Sequence, residues 1–379
     1  MATNGAPSII RALAPQVVSL PQLKMFVENL LPKVADHVSP SVLMVTSGSS
    51  TNGNRDISPF VQVQVESLEE IGWTVHYGLV DDRRSAGGIM RNTRRLTDDV
   101  RRLQPGVVHA QFGSVIAAIA CRIRGVTPLV ISFCGSDLLG SFNSGSASWV
   151  RDRAARLISL ATARRAAALI VKSKNLYEGL PQRLRRKAVL LPNGVDVSRF
   201  FPLPQRECRC QLGWSARSKI VLFNASVGVN QRVKNLPLAR ATVDLVRQSI
   251  PDVCLKVISN TSHDLLPVVL SAADCLLVTS FSEGSANLPK EAMACGLPVV
   301  SVPCGDAIER LRDTHPGSVC SYDACALSEA VKEVLTSAKR SNGPEELVAQ
   351  GLTSAQVAQG LVKIYVRAQT GPRKVLCRT

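Results

Sequence analysis

The sequence is poor in aromatic side chains and has no long apolar run. Aromatic residues make up only 4% of its 379 positions. Its apolar stretches, such as Val221–Phe223, Cys275–Val278 and Ala166–Val171, fall far short of the ~20 residues that cross a bilayer as a helix. The first twenty residues hold one basic residue, Arg11, and no compact apolar block, so a secretory signal is not expected. After the first predicted strand, Ser47–Asn54 lacks the Gly-x-Gly-x-x-Gly turn that a nicotinamide dinucleotide requires. The eleven cysteines lack zinc spacing. Cys208 and Cys210 are too close together, and no further His or Cys lies two to four residues from either. Cys254, Cys275 and Cys295 lie in or beside apolar stretches, where a thiol acts as a small core residue. Reduced thiols in a cytoplasmic protein are therefore expected.

What the chain has in excess is positive charge. Its formal net charge is +16, and Arg151–Lys187 alone holds eleven basic and two acidic residues. A surplus this local points to an anionic partner. Nucleic acid is disfavoured, because few aromatics and no binding motif accompany the charge. An anionic membrane surface, or a lipid-phosphate acceptor on it, fits better. A helix over Arg151–Arg165 would gather Arg153, Arg156 and Arg164, beside an apolar face of Ala154, Leu157, Ile158 and Ala161. The Asp81-Asp82 pair precedes Arg83-Arg84 in a polar loop and reads as solvated surface rather than a metal site.

Residues 1–40 read as an irregular extension broken by five prolines. Beyond them, short apolar strands alternate with helices. In the first half the strands are Val42–Thr46, Trp73–Tyr77, Val107–His109, Pro128–Phe133 and Leu169–Val171. In the second they are Lys219–Phe223, Cys254–Ile258, Cys275–Val278 and Pro298–Val302. This rhythm predicts an α/β protein with mostly parallel sheets covered by helices on both faces. Two Rossmann-like domains facing a cleft are expected: 41–192 and 208–353, joined by a proline-rich linker at 193–207. A last helix near 354–368 carries Val357, Leu361, Ile364 and Tyr365 on one side, and is expected to pack back on the first domain.

The densest chemistry lies in Ser280–Val300. It begins at the C-terminal end of the Cys275–Val278 strand, where open α/β sheets bind ligands. Pro289 suits the first position of a helix that Gly296 and Pro298 end. That helix start would present free N–H groups and a positive dipole end to a phosphate.

Glu283 and Glu291, followed by Ala-Met-Ala-Cys-Gly-Leu-Pro-Val-Val, resemble the signature of glycosyltransferase family 4. These are retaining enzymes with the two-lobed GT-B fold. Leu191–Pro202 resembles the family's stretch before the linker. Val108–Gly113 and Ile131–Leu138 resemble two first-lobe strand ends facing the cleft. The resemblance implies that Glu283, with Gly284, Ser285, Ala286, Asn287 and Leu288, meets the donor sugar, and that Glu291 holds the ribose hydroxyls. It also implies transfer of a hexose-type sugar from a nucleotide-sugar donor to a glycan or lipid-linked acceptor, in polysaccharide or cell-envelope glycoconjugate synthesis. No metal or other cofactor is expected, and the protein would be cytoplasmic or peripheral on the inner membrane face.

Two positions depart from the family pattern. The usual Gly-Arg pair after the Val221–Phe223 strand is Ala225-Ser226 here, so Arg232 and Lys234 are the candidate cations for the donor diphosphate. Cys134 stands where many relatives place a His. Asp137 is then read as a cleft-facing catalytic acid beside Glu283, and His109, Cys134 and Gly135 as acceptor-side residues. These departures leave open a catalytically weak sugar-nucleotide-binding or assembly subunit. Glu283 and Glu291 as a glycosidase acid–nucleophile pair are disfavoured, because a loop and helix start between Rossmann lobes suits a nucleotide better.

Overall fold

The computed structural model describes residues 38–51, 54–140, 146–225, 232–259 and 261–371. The expected extension at 1–40 therefore lies almost wholly outside the described residues, as does Ser226.

Two sheets form, each at the C-terminal edges of which the chain turns back through helices. The first is built from β1 (Ser41–Thr51), β2 (Asn54–Ile57), β3 (Thr74–Val80), β4 (Val107–Gln111), β5 (Leu129–Phe133), β6 (Ala168–Val171) and β7 (Ala188–Leu190). Its order is β3-β1-β4-β5-β6-β7, all parallel, with β2 turning back antiparallel on the end of β1. The polar residues after Thr46 thus continue β1 and pair with β2. The second sheet is β8 (Lys219–Asn224), β9 (Val253–Ile258), β10 (Cys275–Val278), β11 (Val299–Ser301) and β12 (Ser318–Val319). Its order is β9-β8-β10-β11-β12, all parallel. Strands β4, β5 and the inner part of β1 are buried on both faces, which is why they read as continuous apolar runs rather than alternating ones.

Each sheet separates two apolar cores. In the first lobe one core is completed from far along the chain. Val357, Leu361, Ile364 and Tyr365 of the Ser354–Thr370 helix pack with Val61, Val65 and Leu68 of the Pro59–Glu70 helix. Tyr365 is fully buried, its ring 5.2 Å from that of Trp73. Burying residues of this size stabilises the packing by roughly 1.5–3 kcal/mol each. Thr353 starts the helix with a capping box, accepting from Gln356 N while Gln356 reaches back.

The two passages of the chain between lobes lie side by side. Val195 N donates to Leu352 O (2.8 Å) and Ser354 N to Val195 O (2.7 Å). A Cβ on Gly194 would come within 2.6 Å of Ser354 Cα. The stretch 193–207, expected as a linker, mostly belongs to the second lobe: Val195 and Phe200 are in its core, and Gln205–Gln211 is helical. A further helix, Ala86–Leu103, has no counterpart in the expected elements. Asp82 sits just before it, accepting from Arg84 N and Ser85 N, so the acidic pair shapes a turn. No helix among the described residues is long and apolar enough to cross a membrane, and all ten described cysteines are free thiols.

Candidate functional site

The second sheet reverses its strand order between β8 and β10, the kind of switch point at which open α/β sheets bind ligands, and the described segments that follow these two strands meet there. The loops are stapled together. Thr279 Oγ1 donates to Lys234 O (2.9 Å), and Phe281 N to Val233 O (2.9 Å). Tyr322 stacks on Phe281 and donates to Ser280 O (3.0 Å). So fixed, Lys234 Nζ reaches Glu283 Oε1 at 2.6 Å, with both side chains largely enclosed. Arg232, in the same short turn, is exposed to solvent.

Beyond Glu283 the chain enters the Asn287–Ala294 helix. It starts two residues before Pro289, which therefore occupies the third helical position rather than the first. No side chain caps this N-terminus, so its first N–H groups stay available. Leu288 is buried in the core and can offer a ligand only its backbone. Ser285 Oγ donates to Asp306 Oδ2 (2.8 Å), while Lys290 Nζ donates to Ser285 Oγ (3.0 Å) and Asn193 O (2.9 Å). Lys290 is buried, and desolvation brings its ammonium down to about 8, against the opposing pull of Asp306. Asn287 Oδ1 accepts from Asn193 Nδ2 at 3.3 Å.

Glu291 lies on the second turn and meets His263, from the loop after β9, at 3.4 Å. Arg199 Nη1 is 2.8 Å from His263 Nδ1. A guanidinium can only donate, so Nδ1 accepts and the ring proton sits on Nε2, facing Glu291. Glu291 is thereby oriented from outside its own helix.

The first lobe touches this loop directly. A Cβ on Gly284 would collide with the Cys134 carbonyl oxygen, and Gly135, with a φ of +152°, faces Gly284. Asn175 Nδ2 donates to Glu283 O at 3.3 Å. Cys134 and Gly135 thus do lie at the cleft, against the Glu283–Gly284 backbone. Burial pushes the Cys134 thiol up to about 12, so it stays protonated.

Asp137 and His109 do not face the cleft. Asp137 is buried, and its carboxylate accepts from Gly113 N (2.7 Å), Gly135 N (2.8 Å) and Cys134 N (3.1 Å). Those N–H bonds oppose the upward push of burial on its pKa. They also pin the loop after β4, where Phe112 and Ser114 have φ of 139° and 53°. The expected catalytic acid is a loop-holding carboxylate, because three backbone donors converge on it. His109 is fully buried. It bonds Tyr365 Oη (2.6 Å) and Ser132 Oγ (2.8 Å), and burial takes it down to about 3. It joins the C-terminal helix to the sheet and is no acceptor-side residue.

His263, Lys290 and Asp306 were not anticipated. Arg199 lies within the Leu191–Pro202 stretch already singled out, but nothing in the sequence joins it to residues some sixty positions later.

Two facing Rossmann-like lobes with a charged crevice at the second lobe's switch point define a GT-B architecture. The description "Glycosyltransferase Family 4" matches residues 55–199, and "Glycosyl transferases group 1" matches residues 221–337. The chain belongs to this family of glycosyltransferases. No curated protein matches it. Among solved structures, it is similar to sucrose-phosphate synthase from Thermosynechococcus elongatus, with a TM-score of 0.67 and 18% identity over 86% of this chain and 98% of that one. It is also similar to Anabaena HepE in complex with UDP and glucose, with a TM-score of 0.64 and 15% identity over 85% and 98%. A glycosyltransferase from Rickettsia africae gives 0.61 and 12% over 88% and 99%. At these identities the likeness shows the fold.

Proposed function

We propose that the chain transfers a hexose-type sugar, with retention, from a nucleotide-sugar donor bound at the β8–β10 crevice to a glycan or lipid-linked acceptor. The observation that carries the reading is the Lys234–Glu283 ion pair beside an uncapped helix start. When a donor enters, Lys234 can turn to the departing diphosphate, aided by the helix N–H groups, so that the charge growing on the leaving group is met without a metal ion. Glu283 and the Gly284–Leu288 backbone then face the sugar, and Glu291, oriented by His263, accepts from the ribose hydroxyls. UDP and glucose bound to HepE support a nucleotide sugar as the ligand class.

The acceptor side rests on the Ser146–Arg165 helix. Trp149, Val150, Leu157 and Ile158 are exposed on it, among Arg151, Arg153 and Arg156, and Arg153 lies 4.9 Å over the Trp149 ring. Apolar side chains projecting among arginines suit the headgroup layer of an anionic membrane. We assign this face to membrane docking, which would bring a lipid-linked acceptor to the cleft in polysaccharide or cell-envelope glycoconjugate synthesis.

The test is calorimetry with UDP, GDP, ADP and CMP and their sugar conjugates, on the parent and on Glu291→Ala. One nucleotide family should bind the parent and lose affinity in the variant. No binding at saturating concentrations would remove the donor-site reading. Binding without acceptor-stimulated nucleotide release would favour a binding or assembly subunit instead.

A further inference from the structure

Lys172 follows β6 as Cys134 follows β5. Val171 pairs with Phe133, so the two residues leave the sheet side by side at the edge that meets the second lobe. Lys172 is 1% exposed, and its Nζ has no hydrogen-bond partner among the described residues. Every other buried cation of the site is paired: Lys234 with Glu283, and Lys290 with Ser285 and the Asn193 carbonyl.

The surroundings give Lys172 no counter-charge. Cys134 is held as a neutral thiol and His109 as a neutral ring. The Asp137 carboxylate is taken by backbone N–H groups, and Asp306 by Ser285 and Arg310. From the opposite lobe Lys290 adds only repulsion, and burial draws the Lys172 amine below its ordinary range. Enclosing a lone ammonium costs several kcal/mol unless an anion compensates. Two enclosed amines from opposite lobes, one of them with no hydrogen-bond partner among the described residues, form a receptor for a negatively charged group, which would bring Lys172 back to its charged form.

The position selects which part of a ligand supplies that group. Lys172 stands beside Cys134, whose carbonyl packs on Gly284 in the loop assigned to the sugar. Lys234, in the loop after β8, is the cation assigned to the diphosphate. We propose that Lys172 pairs with an anionic substituent, carboxylate or phosphate, on a sugar held between the lobes, so that the protein selects an acidic sugar over its neutral counterpart. This rests on the donor-site reading and narrows its substrate class.

The experiment uses the full chain and the variants Lys172→Met and Lys172→Arg. Calorimetry first finds the nucleoside diphosphate that binds. Two arms follow: its glucose conjugate against its glucuronic acid conjugate, and, with the nucleoside diphosphate saturating, glucose against glucose 6-phosphate. The parent should prefer the acidic member of one pair by about tenfold or more, and that pair tells whether donor or acceptor carries the charge. Lys172→Met should abolish the preference, leave the nucleoside diphosphate affinity unchanged and raise Tm, whereas Lys172→Arg should keep part of the preference. A parent that binds a nucleoside diphosphate but prefers neither acid overturns the proposal alone. So does a Lys172→Met variant that loses affinity for the bare nucleoside diphosphate. If no nucleoside diphosphate binds, the donor-site reading and this proposal fall together.

Discussion

Lys234 Nζ and Glu283 Oε1 lie 2.6 Å apart, one from the loop after β8 and the other from the loop after β10. Because each is the other's partner before a donor arrives, removing either leaves a largely enclosed charge behind. Lys234→Met should weaken nucleoside diphosphate binding by roughly ten- to a hundredfold, the range for a charged hydrogen bond. Glu283→Gln should spare that binding and lower kcat. The double variant should lose less than the two single losses combined, as coupled neighbours do. Strict additivity in calorimetry and turnover would count against the pair as a unit.

The chain Arg199–His263–Glu291 makes a second prediction. Glu291→Ala should remove discrimination between a ribonucleotide and its 2′,3′-dideoxy analogue, while the parent prefers the ribonucleotide. His263→Ala should reduce that preference only in part, since it orients Glu291 without facing the ribose itself. Equal discrimination in parent and Glu291→Ala would remove the ribose role.

Asp137→Asn places an amide N–H₂ against backbone donors. The expected cost is about 3 kcal/mol of unfolding free energy in urea, with the β4 loop loosened. Folded protein should still bind the nucleotide. A variant of parental stability that has lost only turnover would restore Asp137 as a catalytic acid.

His109 should tilt the pH dependence of stability. Its folded pKa, about 3, lies below the ordinary 6.5, so between these values the unfolded chain binds more protons than the native one. Stability then rises with pH through this window and is lost on acidification, by up to about 1.4 kcal/mol per pH unit from this one group. His109→Gln should flatten the urea-midpoint profile between pH 6 and 4. An unchanged slope would refute the assignment.

Membrane docking predicts co-sedimentation with anionic vesicles and little with neutral ones at low salt. Replacing Arg153 and Arg156 by Ser should reduce the bound fraction by roughly ten- to thirtyfold in partition coefficient, at about 1 kcal/mol per cation. Equal sedimentation with both vesicle types would end the idea.

Much of the architecture could be read from the sequence because its strands are buried on both faces, and uninterrupted apolar runs such as Cys275–Val278 announce themselves. The Ala86–Leu103 helix escaped because its buried row is Gly88, Asn92, Leu96 and Val100, only two of them large and apolar. Glu283 and Glu291 were visible through the spacing and flanks of one contiguous segment. His263 and Lys172 were not, since each matters only through a neighbour that the fold brings from another strand end. Asp137 and His109 were misread for the same reason. Sequence placed both at strand ends, but only packing revealed that backbone donors claim the one and Tyr365 the other.

The Ser354–Thr370 helix also bears on how the molecule is made. Synthesis delivers residues in order. When the second lobe's contiguous block, up to Leu352, has emerged, the first lobe's sheet still lacks the Tyr365 face that covers one side of it. The lobe encoded second is therefore the first to have all its core residues in hand. A nascent chain that stops just after Leu352 carries a complete second lobe beside an open sheet. The apolar side of that sheet is what a chaperone, or a second stalled chain, would meet.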